Sequence, residues 1–139
     1  MATPHALLRA GFPYLNTLGM RRVTTNPVDV AIGGEGRLYV LCRGAIQTEI
    51  RRYTVDDDDL GPISGPGTED GKLFWPAALV VDDEENLYVS DEGRHRITIF
   101  SRDGELLGCW GEHGHGDGQL NRPSGMAFDL DKNIYVSDT

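Results

Sequence analysis

Short runs in which apolar and polar residues alternate recur along most of this chain, and glycine, aspartate or asparagine bounds each run. In the run from residue 86 to 91, alternation places Leu87 and Val89 on one face of a strand. Tyr88 and Ser90 then lie on the opposite face, so both faces carry side chains that need cover. No run has the length and period of an amphipathic helix. The pattern predicts an all-β protein made of short antiparallel strands.

The same pattern recurs at a nearly constant spacing. Pro27, Pro76 and Pro123 are each followed twelve residues later by a tyrosine in a Leu/Ile-Tyr-Val triplet. These tyrosines are Tyr39, Tyr88 and Tyr135. The repeats step by 49 and then 47 residues, and the spacings within them place the two extra residues of the first unit in the loop at 43–47. A period in this range, built from short strands, is the signature of a propeller blade.

Each complete unit divides into four predicted strands. Those of the first unit cover residues 28–32, 37–42, 48–54 and 60–64. Those of the second unit cover residues 77–82, 86–91, 95–101 and 105–111. Because Gly and Asp turn signals separate neighbouring strands, the sequence predicts β-propeller blades of four antiparallel strands.

The repeat register divides the chain into four predicted segments. Residues 26–71 form a first blade, 72–118 a second, and 119–139 the first half of a third. Residues 1–25 match the repeat poorly and are interpreted either as an N-terminal arm or as a closing outer strand, with a strand at 12–19. Because the third unit stops in mid-blade, we expect an N-terminal piece of a longer protein whose further sequence supplies the remaining blades.

The charge of the chain bears on its partners and its location. Acidic residues outnumber basic residues by 22 to 13, which gives a formal net charge of −9. Nucleic acids and anionic membranes bind clustered basic surface, so this balance disfavours both as partners. The N-terminus lacks the apolar run of a signal peptide, and no segment approaches a membrane span. Cytoplasmic location is therefore the default, with the compartment itself unknown.

The two cysteines fall at different points of the repeat. Cys42 lies in the first unit and Cys109 in the second. Their spacing favours neither a disulfide nor a metal pair. Both are predicted to be buried, small apolar side chains.

Three motifs closely resemble the NHL repeat. They are Pro-Ser-Gly-Met-Ala-Phe-Asp at 123–129, Leu-Tyr-Val-Ser-Asp at 87–91 and Gly-Arg-His-Arg-Ile-Thr-Ile-Phe at 93–100. The resemblance covers roughly residues 26–139 and implies a six-bladed β-propeller, of which this chain holds two blades and part of a third. The first unit departs from the pattern, because Leu41-Cys42-Arg43 stands where the second unit has Ser90-Asp91-Glu92.

His95 is the first candidate for chemistry. NHL-related peptidyl-hydroxyglycine amidating lyases place zinc-binding histidines after a strand like the one that ends at Asp91. A catalytic zinc needs three protein ligands as a rule, and the first unit offers only Ile46 or Gln47 near the matching position. Ordinary NHL repeats often carry a histidine beside the Arg-Ile pair, so a structural role for His95 is the preferred interpretation.

A second candidate is the glycine-rich segment at 111–118. In an extended chain, His113, His115 and Asp117 would lie on one side as potential metal ligands. The glycines argue against a rigid cage, and such loops are the normal NHL connector between blades. A connector is therefore the preferred interpretation.

Other polar groups are assigned structural roles. Asp91 and Arg96 face each other across a turn and are predicted to hydrogen-bond and hold two strands together. The aspartate run at 56–59 aligns with the Asp103-Gly104 turn and is predicted to be a solvated turn, with weak calcium binding as the alternative. No serine or cysteine is marked as a nucleophile.

Three functions remain open at this point. The first is a noncatalytic NHL propeller scaffold without a cofactor, whose loop-bearing face binds a protein or a small-molecule ligand. The second is a metal-dependent propeller enzyme resembling the amidating lyases or a lactone hydrolase, and only this alternative implies zinc or calcium. The third is an RNA-binding NHL domain, which the net charge of −9 disfavours. Whether the protein is an enzyme stays open, and the scaffold is preferred.

Overall fold

The structure is a computed structural model that describes residues 14–19 and 24–139. Residues 14–19 contain no strand, so the described part of the predicted strand at 12–19 is irregular chain. The rest of that strand, and most of the arm or closing strand predicted for residues 1–25, lie outside the described residues. What is described of this segment contacts the protein, because the backbone N–H of Gly19 donates to the Asp57 carboxylate at 2.8 Å.

The described residues form two four-stranded antiparallel sheets and one two-stranded hairpin. The first sheet contains β1 (Pro27–Ile32), β2 (Arg37–Arg43), β3 (Thr48–Thr54) and β4 (Asp59–Ile63). The second contains β5 (Pro76–Val81), β6 (Leu87–Asp91), β7 (Arg96–Phe100) and β8 (Leu106–Trp110). The hairpin contains β9 (Met126–Phe128) and β10 (Ile134–Val136). Each sheet follows sequence order, so the predicted four-stranded antiparallel blades are confirmed.

The repeated proline begins the first strand of each four-stranded sheet. Pro27 pairs with Cys42, Pro76 pairs with Asp91, and the register shifts immediately after each proline. Because proline has no N–H to donate, it is tolerated at the start of a strand or at a bulge on an edge strand. The proline period in the sequence therefore marks where each sheet begins.

The hydrophobic core lies between the two four-stranded sheets. Its fully buried members from the first sheet include Leu41 and Ile50, and those from the second include Leu87 and Val89. Full burial of such a side chain is worth about 1.5–3 kcal/mol. The opposite face of the second sheet meets the β9–β10 hairpin, where the Tyr88 ring packs edge-on against Phe128. The prediction that β6 is covered on both faces is confirmed.

The two-residue insertion lengthens the β2–β3 hairpin by one residue pair. Cys42 pairs with Glu49 where the second sheet pairs Asp91 with Arg96. The first sheet then adds the pair Arg43–Thr48 before its loop begins. The insertion thus lies where the sequence predicts it, and it extends paired strand instead of enlarging an irregular loop.

Two details differ from the sequence predictions. Cys42 is buried as predicted, but Cys109 is exposed. Its strand, β8, is at the edge of the second sheet, so its side chains lie at the margin of the packed layer. In the part of the chain that the structure describes, the side chains of Asp91 and Arg96 do not bond to each other. Asp91 accepts from backbone N–H groups, and Arg96 instead pairs with Asp70 at 2.9 Å.

The described residues contain no helix of the length and apolarity needed to span a membrane.

Candidate functional site: the cleft on the loop face

Four connections leave the sheets at the same end of the molecule. In each antiparallel sheet, the loop between the second and third strands lies at the same end as the connection to the next sheet. These segments cover residues 44–47, 64–75, 92–95 and 111–125. We call this end the loop face.

An open cleft of about 290 Å³ lies on the loop face. Its lining residues are Phe74, Trp75, Glu92, Gly93, His95 and Arg122. The Phe74 and Trp75 residues are 54% and 50% exposed, although large aromatic residues ordinarily bury most of their surface. Two neighbouring half-exposed aromatic residues therefore form one wall of the cleft.

Asp91 holds the aromatic wall in place from beneath. Its side chain is fully buried, and its carboxylate accepts hydrogen bonds from the backbone N–H groups of Phe74 at 2.7 Å and Trp75 at 2.9 Å. It also accepts from the N–H groups of Gly93 and Arg94, both at 3.1 Å. One carboxylate thus ties the end of the β4–β5 connection to the β6–β7 turn, which fixes the aromatic pair relative to that turn.

Gly93 permits this close approach. A Cβ atom at this position would lie 2.4 Å from Cδ1 of Phe74 and 3.1 Å from Cβ of Trp75. Any larger residue would push the aromatic pair away from the β6–β7 turn.

A cation from the first sheet lies over the wall. The Arg43 guanidinium carbon is 4.6 Å from the centre of the Trp75 ring, within the range of a cation–π contact. The same guanidinium donates to the carbonyl oxygen of Pro76 at 3.3 Å. Arg43 belongs to the extra residue pair of the β2–β3 hairpin, so the inserted pair fixes the backbone from which this side chain extends.

An ion pair forms the opposite side of the cleft. Glu92 and Arg122 approach to 2.9 Å, and their side chains are 19% and 65% exposed. The backbone N–H of Arg122 donates to Nδ1 of His95 at 3.1 Å. Nδ1 therefore acts as an acceptor in this contact and is not free to bind another group.

His95 also contacts His113, with 4.3 Å between the ring centres. His113 lies in the segment that folds back over the β6–β7 turn, where its bridge to Leu120 repeats the Pro66–Leu73 bridge of the preceding connection. This repetition confirms the 47-residue register of the two connections. The two histidines are 18 positions apart, and the sequence analysis did not predict their contact.

The structure does not bring His113, His115 and Asp117, the alternative metal ligands of the connector, together. Among residues 14–19 and 24–139, no three His, Cys, Asp or Glu side chains come together as a possible metal site. The connector is organised by Gln119, whose side chain accepts from the Gly116 N–H at 2.9 Å and donates to Glu112 at 3.1 Å. Its geometry is that of a braced turn.

The aspartate run at 56–59 forms a turn, as predicted. Asp57 has a positive φ of 67°, and its carboxylate accepts from Gly19. Asp59 begins β4 and pairs with Arg51 at 2.7 Å. This turn lies at the end of the first sheet opposite the loop face.

The repeated tyrosines bind carboxylates at that opposite end. Tyr88 donates to Asp82 at 3.3 Å, and Tyr135 donates to Asp129 at 3.2 Å. Although partial burial would raise the pKa of Asp82, hydrogen bonds from the Asn86 backbone and side chain and from neighbouring donors lower it. The pKa of Asp129 is also lowered, chiefly by the side chain and backbone of Asn133. These tyrosines brace turns and do not reach the cleft.

The family model of the NHL repeat matches residues 75–100. The matched segment runs from Trp75 through β5, β6 and β7, and it includes the buried Asp91 and the turn that carries His95. The chain contains an NHL repeat. Within this repeat, Pro76 begins the first strand, Tyr88 faces the next sheet, and Arg96 anchors the connection at Asp70.

Solved structures share the fold. The chain superimposes on a streptogramin B lyase with a TM-score of 0.65 and 14% identity, covering 90% of this chain and 38% of the lyase. It superimposes on a catalytically inactive virginiamycin B lyase from Staphylococcus aureus, solved with quinupristin, with a TM-score of 0.63 and 12% identity. That match covers 87% of this chain and 37% of the other.

A third similar structure is a gluconolactonase from Xanthomonas campestris, with a TM-score of 0.59, 22% identity, and coverage of 82% of this chain and 35% of the other. These neighbours are β-propellers, so the NHL repeat here belongs to propeller-type blades. The chain spans less than two fifths of the length of each of the three proteins. No curated protein matches the sequence.

Most of the cleft was not predicted from the sequence. His95 was a candidate residue, but the aromatic pair Phe74–Trp75, the ion pair Glu92–Arg122 and Arg43 were not. The sequence signal was the placement of two adjacent aromatic residues immediately before Pro76, at the end of a connection that is mostly glycine and polar residues up to Lys72. Aromatic residues in such a segment either complete a core or form a binding surface.

Proposed function

We propose that this chain serves as an NHL propeller scaffold that binds a protein segment or small ligand in the cleft on its loop face. The observation that carries the proposal is the half-exposed Phe74–Trp75 pair, held by the buried carboxylate of Asp91. Fixed aromatic side chains beside arginine are the residues that dominate binding energy at protein interfaces. Because the wall is positioned before a ligand arrives, little ordering entropy opposes binding.

The enzyme alternative has one observation in its favour. The rings of His95 and His113 touch beside the cleft, and histidine pairs are frequent metal ligands. A metal-dependent lyase or lactone hydrolase would need further ligands near Nε2 of His95, because its Nδ1 already accepts from Arg122. Scaffold binding requires only the groups already described, so we place it first. RNA binding is third, since the net charge of −9 repels phosphates.

Peptide selection followed by calorimetry tests the scaffold proposal. A displayed library of random peptides would be selected against the 139-residue chain, and the selected peptides would be synthesised and titrated. We expect Trp75→Ala to weaken their binding by about tenfold or more, as for a hot-spot aromatic residue. Val55→Ala is the matched control, because Val55 is 54% exposed and follows β3 at the opposite end of the sheet.

The result distinguishes the candidate functions. Peptides that bind equally well to the wild-type chain and to Trp75→Ala would refute a binding site in this cleft. Zinc that copurifies with the chain and is lost on His95→Ala, together with hydrolysis of a lactone panel, would replace the scaffold with the enzyme.

A further inference from the structure

We infer that the cleft on the loop face recognises a cationic group, such as the side chain of a lysine or arginine in a partner protein. This inference deepens the proposed function and rests on it. The cleft combines the exposed faces of Phe74 and Trp75 with the carboxylate of Glu92. An aromatic surface beside a carboxylate attracts a cation both through the ring quadrupole and through charge.

Trp75 already accepts a cation within this chain. Arg43 lies 4.6 Å from its ring centre and is held there by the carbonyl oxygen of Pro76. Phe74 is as exposed as Trp75, yet among the described residues no arginine or lysine lies over its ring. The cleft therefore has one aromatic ring that a protein cation covers and an adjacent ring that is open to a ligand.

Arg122 occupies the carboxylate side as an internal cation. Glu92 is largely buried, whereas Arg122 is 65% exposed, so the carboxylate is fixed and the guanidinium extends into solvent. An ion pair with one partner so exposed contributes little to stability. A ligand cation can consequently replace Arg122 at Glu92 with a small loss, and it gains the aromatic contact that Arg122 lacks.

An anionic ligand fits the same groups less well. Its natural partners would be Arg43 and Arg122, but Arg43 is engaged by Trp75 and by the carbonyl oxygen of Pro76. An anion at Arg122 would also lie beside the Glu92 carboxylate, in a chain whose formal charge is −9. The same charge attracts a basic partner over a longer range.

Titration with defined peptides tests this inference. The probes are acetyl-Gly-Lys-Gly-Lys-Gly-Lys-amide, its Nε-acetylated form, and the corresponding glutamate peptide. Binding would be followed by nuclear magnetic resonance at the indole N–H signals of the two tryptophans. Trp75 lies in the cleft, and Trp110, at the end of β8, serves as the internal reference. We expect the lysine peptide to shift the Trp75 signal and the acetylated and glutamate peptides to leave it unchanged.

Two variants are expected to change lysine-peptide binding in opposite directions. Glu92→Gln should weaken lysine-peptide binding by about threefold to tenfold, as expected for loss of one charged partner at a partly exposed site. Arg122→Gln should strengthen it, because the internal competitor is removed. Glu105→Gln is the matched control, since it makes the same charge change at an exposed residue next to β8. Circular dichroism would establish that each variant is folded.

The outcomes separate the inference from the proposed function. Weaker lysine binding in Arg122→Gln, or equal binding of acetylated and unmodified peptides, overturns the cationic ligand while a Trp75-dependent site survives. Binding of the glutamate peptide alone, lost in Arg122→Gln, assigns an anionic ligand and also overturns the inference. Failure of every library-selected peptide to depend on Trp75 overturns the proposed function and the inference together.

Discussion

The hydroxyl group of Tyr39 donates a 2.6 Å hydrogen bond to the carboxylate of Glu85, which lies 46 residues further along the chain and in the next sheet. In the later repeats the matching tyrosines, Tyr88 and Tyr135, donate to an aspartate of their own sheet or hairpin. Gly33 stands at the position of those aspartates in the first repeat. A carboxylate from the neighbouring sheet thus replaces one that the first repeat lacks.

Gly33 is required for this replacement. A Cβ atom on Gly33 would lie 2.4 Å from Oε1 of Glu85, so a side chain and the carboxylate exclude each other. Glu85 also pairs with Nε of Arg37 at 2.9 Å. Burial, and then the hydrogen bond and charge of Glu85, raise the pKa of Tyr39, so its hydroxyl remains a donor at neutral pH. Tyr39, Arg37 and Glu85 thus form a small, mostly buried polar network that joins the two sheets.

Glu85→Ala is expected to lower the free energy of unfolding by about 2 kcal/mol, because it leaves the buried Tyr39 hydroxyl without its acceptor and removes one of the two carboxylates that pair with Arg37. Urea unfolding followed by circular dichroism measures the change. Glu84→Ala is the control, since Glu84 is the exposed neighbour and should change the free energy by less than about 0.5 kcal/mol. Equal effects of the two substitutions would show that the network contributes nothing.

The effect of Gly33→Asp on the free energy of unfolding is expected to have opposite signs in the wild-type and Glu85→Ala backgrounds. In the wild-type chain the new side chain meets Glu85 and should destabilise the fold by about 1–3 kcal/mol through overpacking and charge repulsion. In the Glu85→Ala background it should restore part of the lost stability, by supplying Tyr39 with a carboxylate as Asp82 does for Tyr88. A double-mutant cycle in urea measures the coupling. Additive effects would contradict the proposed exchange of carboxylates.

Asp91→Asn is expected to destabilise the chain by about 2 kcal/mol and to loosen the aromatic wall. The amide can keep one acceptor oxygen, but its NH₂ group then faces a backbone N–H that the carboxylate satisfied. Urea unfolding gives the stability, and the emission maximum of Trp75 in a Trp110→Phe background reports the wall. Asp131→Asn, in the exposed β9–β10 turn, is the control. An unchanged emission maximum would show that Asp91 does not position the aromatic wall of the cleft.

The loss of folding stability at acid pH should depend in part on Asp82. Its pKa is lowered in the folded chain, so the folded state binds this proton less tightly than the unfolded state. The resulting stability is fully present above the unfolded pKa of about 3.9 and is lost as the pH falls through the folded pKa. Asp82→Asn should therefore flatten the decline of unfolding free energy as the pH falls below about 4. Urea unfolding across this range measures it, and parallel curves for the two proteins would contradict the assignment.

The strands could be predicted because their signals are local. Strand β7 is predicted at residues 95–101 and lies at Arg96–Phe100, where turn residues on both sides limit the strand. The position of the inserted pair was equally predictable, since spacing between repeats depends only on counting. The spacing of the repeats predicted the fold. The NHL repeat match at residues 75–100 and the propeller neighbours support this prediction.

The cleft and the polar network of Tyr39, Glu85 and Arg37 could not be predicted, because both depend on contacts between segments far apart in the chain. Arg122 reaches Glu92 only when the β8–β9 connection folds back over the β6–β7 turn. The exposure of Cys109 likewise depends on which strand ends a sheet and what lies against it. Sequence spacing specifies neighbours within a repeat and says little about neighbours between repeats.

The extra residue pair Arg43–Thr48 makes the two hairpins on the loop face unequal in length. Without this pair, the β2–β3 and β6–β7 hairpins would have the same length. Here the loop beyond the extra pair carries Ile46, which is 93% exposed, while the β6–β7 hairpin ends one residue pair earlier. A ligand that spans both hairpins would therefore meet two unlike surfaces, although the sheets that carry them follow the same repeat.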